Sequence, residues 1–143
     1  MTWIKHLLAI ALAAAMLFMG LQKFGAENIV FQTIADKTGL AFFEPIFRMF
    51  SGVLEVLAGL LMFHPRTRGA GALLSSGIVA GAVVFHLSPW LGMKVALEPG
   101  GVATYQLFIM ALVFLVLALI NLVLNRKSVP VLGNLFADTV QSR

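Results

Sequence analysis

The chain has 143 residues, of which 60% are hydrophobic and 11% charged, against about 45–50% and about 25% in ordinary soluble domains. Its net charge of +4 is modest and it contains no Cys, so disulfides, thiolate metal sites and thiol nucleophiles are excluded. The basic residues sit at the ends of apolar blocks and form no stripe that would mark a nucleic-acid partner.

The apolar residues fall in four blocks, at about 7–24, 46–63, 69–87 and 106–124. Each block holds about 18 or 19 residues, enough as a helix to cross a hydrocarbon layer of about 30 Å. The expected fold is therefore an all-α membrane protein, a bundle of four transmembrane helices forming one domain over 1–127. The first block has a basic start at Lys5 and a small-residue run over 11–15, as a signal peptide does, but its apolar stretch is too long for one.

Residues 25–45 are longer than a simple link and mildly amphipathic, with Ile29, Val30 and Ile34 recurring among Glu27, Asn28, Asp36 and Lys37. A short helix lying at the outer membrane interface is expected there, ended by Gly39. The second block ends in the basic turn His64-Pro65-Arg66-Thr67-Arg68, tight enough to make an antiparallel hairpin with the third. The loop 88–101 carries Trp90, suited to an interfacial belt, and the turn signal Pro99-Gly100-Gly101. Pro130 stops the fourth helix, leaving 128–143 as a cytoplasmic tail.

With four spans, both termini and the 64–68 turn share one side, holding Lys5, Arg66, Arg68, Arg126, Lys127 and Arg143. The other side holds Lys23, Lys37, Arg48 and Lys94, together with most of the acids. The excess of Lys and Arg puts both termini in the cytoplasm and the bundle in the cell's inner membrane. Lipids are its first expected partners, followed by other membrane subunits or further copies of the chain.

One residue stands out. Glu55 lies near the middle of the second block, where an ionisable side chain costs roughly 2.5–3.5 kcal/mol on insertion scales. At about 100° per residue, Arg48, Gly52, Glu55 and Gly59 share one helix face within about 60°. That face is expected inside the bundle, with Gly52 and Gly59 as packing positions. In the third block, Gly77 and Gly81 form a second small-residue pair for packing, and His86 sits near its outer end. By depth, Glu55 lies roughly 13 Å below the outer start of its helix, whereas Lys23, Arg48 and His86 are shallow. A cationic rim above one deep acid, with Tyr105 and Gln106 adding hydrogen bonds, suits an amphiphile with an anionic or carbonyl head, such as a quinone. Direct pairing of Arg48 with Glu55 is not expected, because the Arg side chain leans toward the helix start.

Other chemistries lack parts. His6, His64 and His86 are split between the two faces, so they form no common metal site. Ser75 and Ser76 have no base nearby, and no phosphate loop is present.

The pattern resembles the DoxX-like family of small four-helix membrane proteins. The resemblance rests on Gly20-Leu21-Gln22-Lys23-Phe24 closing the first helix, Gly52-Val53-Leu54-Glu55 with Gly59 in the second, Arg66-Thr67-Arg68 opening the third, and His86 near its end. It covers about residues 5–125. It implies that Lys23, Glu55 and His86 match the family's recurring polar positions. It also implies an accessory role beside redox or sulfur-metabolising partners, such as thiosulfate:quinone oxidoreductase subunits, or a role as a membrane chaperone. Two functions from different classes follow as expectations. One is a redox-associated subunit binding a quinone or similar amphiphile. The other is a non-catalytic scaffold or assembly factor that packs laterally on a larger complex.

Overall fold

The computed structural model describes residues 2–130. Its helices are α1 (Thr2–Gln22), α2 (Ile29–Thr38), α3 (Ile46–Phe63), α4 (Arg68–Leu87) and α5 (Gln106–Leu124), with short 3-10 turns at Ala41–Phe43 and Arg126–Ser128. Four of them, all but α2, are long and apolar enough to cross a membrane, the mark of an integral membrane protein. Each of these four packs on two others in the cyclic order α1, α3, α4, α5 and back to α1. The result is an antiparallel four-helix bundle. Its core is a column of small and flexible side chains, Ala9, Leu12, Ala13, Met16, Ala58, Met62, Ala72 and Ala118 among them. Large apolar side chains such as Ile10, Leu60, Val84 and Val116 face outward, as a lipid solvent permits.

The helix ends are closed by side chains. Asn28 caps α2 by accepting the Val30 N–H at 3.1 Å. Gly39 ends it in the left-handed region (φ 70°), donating its N–H to Ala35 O at 2.8 Å. The final carbonyls of α3 are taken by the next helix's first residues: Thr67 Oγ1 donates to Leu61 O at 2.8 Å and Arg68 Nε to Met62 O at 2.9 Å. Arg68 also donates through Nη1 to His6 Nδ1 at 3.1 Å, tying the start of α1 to the α3–α4 hairpin. The basic turn is thus built into the fold at Arg68, which is buried.

Close helix approach rests on glycines. An added Cβ would stand 2.9 Å from Val56 Cγ2 at Gly20, 2.9 Å from Lys23 Cβ at Gly52, 2.8 Å from Leu17 Cγ at Gly59 and 2.9 Å from Ala58 O at Gly71. Gly52 and Gly59 therefore pack as expected, both against α1. Gly77 and Gly81 do not: a Cβ at either would meet nothing within 4 Å. Both border open space on α4 rather than a closely packed neighbour.

Two boundaries differ from the sequence reading. The first helix starts at Thr2, ahead of the apolar block, because the polar residues Lys5 and His6 at its entry continue the helix without a breaker. At the other end the packed domain continues past residue 127. Ser128 Oγ accepts the Gly69 N–H at 3.0 Å and Val129 is buried. The rest of the expected tail, 131–143, lies outside the described residues.

Candidate functional site

Where α1 ends and α3 begins, the chain must turn while burying charge. Arg48, on the first turn of α3, is 1% exposed. Its Nε donates to both Glu44 carboxylate oxygens at 2.7 and 2.9 Å. Its Nη1 donates to Lys23 O and, at 2.8 Å, to Gly25 O, while Nη2 reaches Ala26 O at 3.3 Å. These carbonyls belong to the turn just after α1 (Thr2–Gln22), so the guanidinium pins that turn to the start of α3. Arg48 was expected to bind ligand; instead its donors are committed to the protein.

Holding α1 this way fixes Lys23 beside Gly52, and its long side chain runs down to Glu55, one helical turn deeper. Lys23 Nζ lies 2.6 and 2.5 Å from the two Glu55 oxygens, with side-chain exposures of 13% and 6%. The separation of a shallow cation from a deep acid is therefore corrected: a depth estimate made on Cα positions omits the reach of the Lys stem. The ammonium also sits 5.8 Å from the Phe31 ring centroid, within cation–π range.

This ion pair borders a partly enclosed cavity of about 340 Å³ between α3 and α4, covered by α2. Its walls are mainly apolar: Phe31 and Ile34 from α2, Phe47, Phe50 and Leu54 from α3, Ile78 and Phe85 from α4, and Leu91 from the following loop. The polar groups are the Lys23–Glu55 pair, Ser51, Asn28 and His86. Gly77 and Gly81 line it as well, and the side chains they lack supply its room. Phe43, Phe47 and Phe85 stack edge-on at 5.5 and 5.8 Å between centroids, joining α2's side of the cavity to α4. These aromatic residues were not picked out from sequence. The density of Phe at 31, 42, 43 and 47 was the available signal.

His86 is buried, with Nδ1 2.9 Å from Gly92 O. A carbonyl only accepts, so Nδ1 carries a proton and donates it, and Nε2 is the ring nitrogen left for another partner. Among the described residues, Nε2 has no hydrogen-bond partner. The ring packs 5.7 Å from that of Phe108. Tyr105 and Gln106 do not join the site. Both are exposed, and Tyr105 stacks under Lys94, 5.0 Å from its ammonium. They belong to the α5 entry, and the 88–105 loop carries them away from the cavity.

Ser76 donates back to Ala72 O at 2.8 Å, while Ser75 Oγ is buried without a protein partner among the described residues. Also among the described residues, no three His, Cys, Asp or Glu side chains gather as a metal site. The arrangement is a greasy chamber with a charge-balanced ion pair on one wall and a buried histidine on another. Comparison with family models, curated proteins and solved structures found no match to this chain.

Proposed function

We propose that this protein is an accessory membrane subunit that binds an amphiphile by its small polar head, in the cavity beneath α2. The observation that carries the reading is the meeting of Lys23, Glu55 and His86 around a mainly apolar chamber. Ligand sites are typically apolar clefts with a few convergent polar groups, and ionisable groups inside membrane spans lean toward function. A carbonyl or hydroxyl head suits the polar set: Lys23 donates, Glu55 accepts, and His86 Nε2 offers a further hydrogen-bonding position. A quinone is one such head, in keeping with the DoxX-like resemblance and a place beside a redox assembly. In this reading the cavity opens toward the outer leaflet of the inner membrane, with both termini cytoplasmic.

Native mass spectrometry on protein gently extracted from its own membrane tests the proposal. A small amphiphile retained by the wild type and lost from both Glu55→Gln and His86→Ala supports it. Stoichiometric partner proteins with no small molecule in any sample would replace it with the scaffold reading.

A further inference from the structure

The cavity does not end at its polar wall. Leu54, Gly77 and Ile78, which line it, also line an adjoining second hollow of about 610 Å³ bordered by Ala70, Leu73, Leu74 and Pro130. Every described residue of that groove is apolar. Among the described residues an occupant there finds no hydrogen-bonding side chain, so a polar group placed in it would lose its partners. Gly77 stands at the junction, where an added Cβ would touch nothing within 4 Å. From Gly77 to Ala70 the groove follows α4 for about 10 Å.

We infer that the groove holds the single apolar chain of the same amphiphile whose head lies in the cavity; this rests on the reading above. The argument is that the two hollows adjoin at three shared residues, Leu54, Gly77 and Ile78. A head held at Lys23, Glu55 and His86 delivers its attached chain to Gly77, and the groove offers that chain an all-apolar path down the α3–α4 face. Gly77 is the gate that keeps the two compartments joined. This accounts for a glycine in mid-helix that packs against nothing.

The test uses the full chain in phosphatidylcholine nanodiscs and two forms of decylphenol, one with a diazirine on the ring and one with it at the chain end. Ring labelling is expected on cavity residues of α3 and α4, and chain-end labelling on residues 70–74, both suppressed by excess unlabelled decylphenol. Leu74→Trp, which blocks the groove and does not line the cavity, should lower chain-end labelling of 70–74 at least tenfold while a ring-labelled ethylphenol still marks the cavity. Gly77→Leu, at the junction, should lower chain-end labelling as strongly. Saturable ring labelling with the chain end landing on α5, or unchanged by both variants, overturns the groove assignment alone. Chain-end labels that join two copies of the protein would show a subunit interface there and overturn it too. Loss of saturable ring labelling in the wild type removes the amphiphile reading and the groove with it.

Discussion

Two ion pairs are built around α3, and they are used differently. At Glu44–Arg48 the guanidinium is enclosed and also serves the carbonyls of Lys23, Gly25 and Ala26. At Lys23–Glu55, among the described residues, the ammonium meets a carboxylate and the face of Phe31, and the pair borders a cavity. The first pair is saturated by main chain and can do nothing but hold α1 to α3. The second is neutralised yet has bonding capacity left, so it can meet a guest without leaving a charge stranded. In a low-dielectric interior, satisfied partners decide whether a buried charge is architecture or site.

Removing the saturated cation should have the largest effect. Arg48→Met strands Glu44 and the carbonyls of the turn after α1, and should cost about 3–5 kcal/mol in detergent unfolding; wild-type stability would end the distinction. Glu55→Gln should cost less, about 1–3 kcal/mol, because Lys23 adjoins the cavity, but it should abolish amphiphile retention. Removing both charges as Lys23→Met with Glu55→Leu sharpens the contrast. The double variant should fold at about wild-type stability or above it, since apolar replacement of a buried pair is often neutral or stabilising, and still bind nothing.

The glycines repeat the contrast between filled and open surroundings. Gly52→Ala should destabilise by about 1–3 kcal/mol through overpacking against Lys23. Gly77→Ala should stabilise by about 0.5–1 kcal/mol, the ordinary helix preference for Ala; thermal unfolding of the two variants side by side decides it. The smallest effects belong to Tyr105→Phe and Gln106→Ala, within about 0.5 kcal/mol and with amphiphile binding intact.

Four apolar blocks of spanning length made the bundle readable, because period and length are local properties. Glu55 was readable as well, since a lone acid in such a block needs a partner. The identity of the partner was not. Lys23 lies 32 residues away, and its reach depends on Gly20 and Gly52 bringing two backbones together. Sequence spacing treats Gly52 and Gly77 alike. Only the placement of α2 and the helix order show that one faces a helix and the other a space. Arg48 and Arg68 read as topology markers or rim charges because their acceptors are backbone carbonyls, which leave no trace in residue identity.

Asn121 donates through Nδ2 to Leu8 O at 3.1 Å, a bond between residues 113 apart in the chain. It joins the last spanning helix to the first, and so closes the ring. Domains are made from the N-terminus at about 5–20 residues per second, so roughly 6–23 s pass between synthesis of the two partners. Through that interval the face of α1 that carries Leu8 waits in the bilayer with its final neighbour unmade. Residue 121 is thus a clock as well as a clasp: until it is translated, the first helix remains open to capture by other membrane helices.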